Sequence, residues 1–189
     1  MTESYQPTAT ELNHLRHCIE VAREALDDGD EPFGSLLVSA SGEVLFADRN
    51  RVKGGDATRH PEFEIDRWVA ANLTPAERSE CTVYTSGERC PMCAAAHGWV
   101  GLGRIIYAAS SAQLARWIAE WGGTPGPVAA LPIGEGAPGV VALGPLLSSK
   151  LRFGRYTGEG AHQRPAWANG SGEAGQLTFN VFTLCRRLV

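Results

Sequence analysis

The 189-residue sequence has no apolar run approaching the roughly 20 residues needed to cross a bilayer. Its first residues, MTESYQPTATE, are polar and lack the apolar stretch of a secretory leader. Positive charge is not in excess: 17 Lys and Arg stand against 21 Asp and Glu, a net charge of −4, with the signs mixed along the chain. A nucleic-acid groove needs a basic stripe, so neither a nucleic acid nor a membrane is the expected partner. The five Cys do not suggest a disulfide framework and fit a reducing compartment, so a cytoplasmic chain is expected. No internal repeat is visible, and the length suffices for one well-packed core.

What is present is concentrated in two short stretches, His60-Pro61-Glu62 and Cys90-Pro91-Met92-Cys93. Zinc takes imidazole and thiolate ligands, and a catalytic zinc site uses three protein ligands with a fourth position for water. His60, Cys90 and Cys93 supply three. Cys90 and Cys93 are three residues apart and share one face of a helical turn. Pro61 and Pro91 each suit the first position of a helix, where a missing N–H costs nothing. Two helix N-termini would then face one metal and favour the thiolates. Glu62 is free of ligand duty and available to move protons, first as base and then as acid.

Other readings of the same residues are open at this level. A structural zinc site would recruit a fourth ligand, and His97, four residues after Cys93, is the nearest candidate. A redox dithiol would account for the C-x-x-C but leave the H-x-E unexplained. Cys18, Cys81 and Cys185 read as small buried hydrophobes or, for Cys185, a tail thiol.

The two motifs together, H-x-E then C-x-x-C, resemble the H-x-E…P-C-x-x-C signature of zinc-dependent nucleobase deaminases, with Arg89 in place of the proline before the first Cys. The chain resembles the cytidine deaminase-like superfamily, within its guanine deaminase, tRNA adenosine deaminase and deoxycytidylate deaminase branch. The resemblance runs from about Leu12 to Ala109. It includes Pro32-Phe33-Gly34 and the hairpin ending at Asn50, Thr58-Arg59-His60-Pro61-Glu62, Thr85 through Cys93, and Arg104-Ile105-Ile106-Tyr107-Ala108. The resemblance implies zinc held by His60, Cys90 and Cys93, catalysis by Glu62, and substrate contacts from Asn50 and Phe33. It also implies a homodimer, expected here to bury helices between Gly98 and Trp121. The sequence departs from the family pattern at Pro61, Phe63, Glu64, Asp66, Gly87 and Arg89. None of these removes a ligand or the proton carrier. Arg89 and the residues after Glu62 are expected near the pocket wall, with Arg89 a substrate contact.

The implied activity is hydrolytic deamination of a small amino-substituted heterocycle (guanine, aminopyrimidine or triazine type), releasing ammonia. The alternatives are a cytidine-type nucleoside or nucleotide substrate, or a zinc-binding scaffold without catalysis.

Periodicity gives the architecture. A capping box, Thr8-x-x-Glu11, precedes an apolar face at Leu12, Leu15, Ile19, Ala22 and Leu26, ending at Gly29. SLLVS and EVLFAD read as a hairpin, followed by alternating helices and strands. This predicts an α/β fold with helices on both faces of a sheet; the resemblance implies a three-layer α-β-α sandwich around a mostly five-stranded mixed sheet. Residues 122–139 read as a Gly/Pro-rich loop and VVALG as a short strand. The expected division is a deaminase domain over 1–157 and a lid or tail over 158–189; the resemblance implies that, as a lid, the segment would lay His162, Gln163, Arg164 and Trp167 over the base, whereas its low apolar content fits a tail. Trp117 and Trp121 share a helical face, a spacing that more often means packing than substrate contact.

Overall fold

The computed structural model describes residues 5–120 and 122–146. The expected lid or tail at 158–189, and Trp121, lie outside the described residues.

Helix α1 (Ala9–Asp27) opens on the expected capping box. The Glu11 N–H donates to Thr8 Oγ1 at 3.2 Å, and the Thr8 N–H donates to Glu11 Oε2 at 2.8 Å. Its buried stripe includes Leu15, Cys18, Ile19, Ala22 and Ala25. The helix lies on strand β1 (Gly34–Val38) at very short range. A Cβ on Gly34 would come within 2.5 Å of the Cys18 carbonyl oxygen and of the Ala22 nitrogen, so only glycine permits the approach.

Strand β2 (Val44–Arg49) pairs antiparallel with β1, and β1 pairs antiparallel with β3 (Thr82–Gly87). From there the sheet turns parallel, β3 to β4 (Ile105–Ala109) to β5 (Ala142–Leu143), in the order β2-β1-β3-β4-β5. The mixed five-stranded sheet is as the resemblance implies.

Helices cover both faces. On one, α1 and α5 (Ser111–Glu120) enclose Leu15, Cys18, Leu36, Tyr84, Ile106 and Trp117. On the other, α2 (Pro61–Asn72), α4 (Pro91–Val100) and the short α6 (Ile133–Gly136) enclose Leu37, Ile65, Val83, Ala94, Ile105 and Ile133. Cys18 and Cys81 are buried free thiols.

Two short elements differ from the sequence reading. Helix α3 (Pro75–Glu80) carries a second capping box, Thr74 with Glu77, of the kind read at Thr8. Within the expected loop at 122–139, α6 forms because Ile133, 1% exposed, anchors it in the core. Trp117 is buried in the protomer's own core at 3% exposure, which removes it from the expected subunit interface.

Candidate active site

Two helix starts converge here. His60 is the N-cap of α2 and Cys90 the N-cap of α4, each followed by proline at the first helical position. The three ligand atoms form a compact triangle. Cys90 Sγ and Cys93 Sγ are 3.5 Å apart, and His60 Nδ1 is 3.6 Å from the first and 3.7 Å from the second. Tetrahedral zinc with ordinary bond lengths would set these edges at about 3.8 Å between sulfurs and about 3.6 Å between sulfur and nitrogen. The donor set and its spacing therefore fit zinc, through Nδ1 of the histidine. Without the metal, the hydrogen bonds to Cys93 and His60 hold the Cys90 thiol down at about 4. The same contact with Cys90, with burial, pushes Cys93 up, and Cys90 in turn raises His60.

His97 is not part of this group. It lies fully buried on α4 with Nε2 2.7 Å from the Gly103 carbonyl oxygen. Burial, reinforced by the Arg89 charge, lowers it to about 3, so it is neutral. Among the described residues the ligand cluster has three members, His60, Cys90 and Cys93.

Glu62 sits in the first turn of α2, 5% exposed. Its Oε1 accepts hydrogen bonds from Ser35 Oγ at 2.8 Å and Thr85 Oγ1 at 2.7 Å. It lies two residues after the ligand His60, at the start of the same helix. The two hydroxyls come from neighbouring strands, since Ser35 pairs with Thr85 across β1 and β3. Neither hydroxyl stands out as a site residue in the sequence, although Thr85 begins the stretch that carries the cysteines. A hydroxyl at an inward position of a fully buried strand is the signal that could have found them.

Asn50, at the end of β2, is fully buried. Its Oδ1 accepts from the Val52 N–H at 3.0 Å, while Nδ2 has no partner among the described residues. The backbone N–H of Asn50 donates to the Phe33 carbonyl at 3.0 Å, tying the two together. The side chain therefore caps a turn and still presents one donor without a partner among the described residues. Phe33 is half-buried, and its ring lies where a Cβ on Gly87 would approach to 3.1 Å. It borders a small recess with Ser86, Leu114 and Trp117 that includes none of the metal ligands.

The sequence reading put Arg89 on the pocket wall as a substrate contact; the structure shows its side chain wholly buried and bonded between the two helices that carry the ligands. Nη1 donates to Asp66 Oδ2 at 2.7 Å and to the Cys93 carbonyl at 3.0 Å. A buried guanidinium needs an anion, and Asp66, one turn beyond Glu62 on α2, provides it. Burial raises Asp66 to about 6, with Arg89 opposing the shift. Glu88 also escaped the sequence reading. Its carboxylate accepts from the Ser111 N–H at 2.8 Å and the Ile133 N–H at 3.0 Å, pinning the starts of α5 and α6.

The basic residues near Asn50 are consumed in ion pairs. Arg49 reaches Asp28 at 2.8 Å and Asp30 at 3.3 Å, Lys53 reaches Asp28 at 2.6 Å, and Arg51 pairs with Asp48. Arg59, exposed beside His60, is outside these pairs.

Over residues 8–109 the chain matches the family described as the cytidine and deoxycytidylate deaminase zinc-binding region. It is 35% identical over 115 residues to a probable cytosine deaminase of Schizosaccharomyces pombe, covering 61% of this chain and 70% of that one. It is 30% identical over 108 residues to the guanine deaminase of Bacillus subtilis, covering 55% and 69%. The solved guanine deaminase of Nitrosomonas europaea shares the fold, with a TM-score of 0.55 at 18% identity over 99% of this chain and 88% of that one.

Proposed function

The chain belongs to the cytidine and deoxycytidylate deaminase zinc-binding family, and from that premise we propose that it hydrolytically deaminates a free amino-substituted nucleobase or related heterocycle of guanine, aminopyrimidine or triazine type. The observation that carries the reading is a three-ligand N,S,S triangle beside a buried carboxylate that is not a ligand. A purely structural zinc site has no use for that carboxylate, which speaks against a scaffold without catalysis.

Bound zinc supplies an acidified water as the nucleophile at neutral pH. Ser35 and Thr85 fix Glu62 through Oε1, leaving Oε2 as the atom that exchanges protons. Glu62 takes one proton from the attacking water and places it on the ring nitrogen. It carries the second to the amino nitrogen as the C–N bond breaks. Ammonia leaves, and the ring keeps the water oxygen as a carbonyl. Asn50 Nδ2 donates to a ring acceptor, and Phe33 supplies an apolar wall.

A free base is preferred to a nucleotide because Arg49, Arg51 and Lys53 are already neutralised by Asp28, Asp30 and Asp48. The second reading, a cytidine-type nucleoside or nucleotide, is favoured by Arg59 alone. Relatives named cytosine deaminase and guanine deaminase support a base substrate. We further propose a homodimer in the cytoplasm, joined through α4, whose Trp99 is 90% exposed. The test is ammonia release from the zinc-loaded protein over a panel of bases, nucleosides and nucleotides. Turnover of a free base above its nucleoside and nucleotide is expected. Turnover of deoxycytidylate at least as fast as any base would overturn the choice.

A further inference from the structure

Arg89 and Asp66 form one buried contact in the structure. Arg89 Nη1 reaches Asp66 Oδ2 on α2 and the Cys93 carbonyl on α4. The pair joins the two helices that carry the metal ligands. At its α2 end, Asp66 lies four residues past Glu62, on the same helical face. At its α4 end, Arg89 directly precedes Cys90, and the carbonyl it grips belongs to Cys93. A planar guanidinium can hold a carboxylate and a carbonyl at fixed angles, which a lysine ammonium cannot.

We propose that the Asp66–Arg89 pair is a positioning device for the zinc site, fixing the first turn of α4 against α2 so that both thiolates meet the His60 imidazole at bonding geometry.

The energetics argue against a role in holding the fold. Arg89 Nε, Arg89 Nη2 and Asp66 Oδ1 are buried without a partner among the described residues. Desolvation of a buried ion pair is repaid only when its remaining hydrogen-bonding positions are satisfied, and apolar replacement of such pairs is often neutral or stabilising. Replacing both partners together by apolar residues of similar volume is therefore compatible with a folded chain. Its two good bonds are those that span α2 and α4. Groups that orient metal ligands from behind typically affect metal affinity or activity by about 10–100-fold.

The proposal rests on the zinc reading above, and its test separates the two. Zinc transfer from the loaded protein to a chromogenic chelator is timed for wild type, for the double variant Asp66→Leu/Arg89→Met, and for Arg89→Lys. The d–d spectrum of each cobalt-substituted protein is recorded alongside. The double variant is expected to stay folded and to release zinc at least about tenfold faster. Its cobalt spectrum should be altered and its kcat lower. Arg89→Lys should fall between wild type and double variant. A folded double variant with wild-type release and spectrum overturns the proposal, whatever its kcat. Should the double variant not fold, Arg89→Lys decides by the same two readouts. If neither folds, the pair is a determinant of the fold and the proposal is wrong. Wild-type protein that binds no zinc would overturn the underlying reading as well. Protein that binds zinc with the expected variant behaviour but deaminates nothing would leave the positioning role standing and refute the activity.

Discussion

Replacing Asn50 with alanine separates its two roles. One is structural: Oδ1 accepts from the Val52 N–H at 3.0 Å and caps the turn after β2. Losing that bond should cost about 1 kcal/mol of stability, as for a typical intramolecular hydrogen bond. The other is toward substrate: Nδ2 is fully buried and unpartnered among the described residues, a donor that a bound ring acceptor would satisfy. A buried polar group left without its partner costs about 1–3 kcal/mol, so kcat/KM should fall by about 5–150-fold in Asn50→Ala. The sharper assay compares the preferred base with an analogue lacking the ring acceptor. Wild type should reject the analogue by a similar factor, because binding it strands the buried donor. Asn50→Ala has no donor to strand and should discriminate much less. Both proteins are assayed for ammonia release, with unfolding curves to correct for stability. An alanine variant that is less stable yet keeps wild-type kcat/KM and wild-type discrimination would reduce Asn50 to a turn cap.

Glu62→Gln should keep the fold and its zinc, because the Ser35 and Thr85 hydroxyls can still donate to the amide oxygen, while kcat drops by about 10²–10⁴-fold; near-normal turnover would place the proton carrier elsewhere. His97 is neutral in the fold because burial lowers it from 6.5 to about 3, so the unfolded chain binds the extra proton and stability is lost as pH falls below about 6.5. Between pH 7 and pH 5 the loss is about 2 kcal/mol. His97→Gln, which keeps a donor for the Gly103 carbonyl, should remove that part of the acid sensitivity in paired denaturant titrations. Identical pH slopes for the two proteins would contradict this. Light scattering at micromolar concentration should return twice the protomer mass of 20.2 kDa, and Trp99→Glu should shift it to the monomer. A monomeric wild type would remove the proposed interface.

The fold was legible where residue chemistry is local. Thr8 with Glu11, and proline after His60 and after Cys90, mark helix starts that the structure reproduces. The metal triangle was legible because three rare residue types at fixed spacing leave few other uses. Residues whose meaning depends on a partner far along the chain were not. The ion pair of Arg89 is invisible until Asp66, 23 positions away, is seen beside it. Ser35 and Thr85, separated by 50 positions, acquire a role only once β1 and β3 pair. Helix α6 follows from the burial of Ile133 rather than from any helical period, in a stretch otherwise made of turn residues.

Six consecutive residues make contacts in as many directions. Thr85 holds Glu62, Ser86 Oγ accepts from the Gly34 N–H at 3.1 Å, and Gly87 makes room for the Phe33 ring. Glu88 pins the starts of α5 and α6, Arg89 grips Asp66, and Cys90 is a ligand. For anyone engineering this chain, the stretch has no slack in length. Deleting or inserting one residue between 85 and 90 would misalign every later attachment, whereas the exposed hairpin tip at Ala40, Ser41 and Gly42 offers a place where an added peptide or label disturbs none of them.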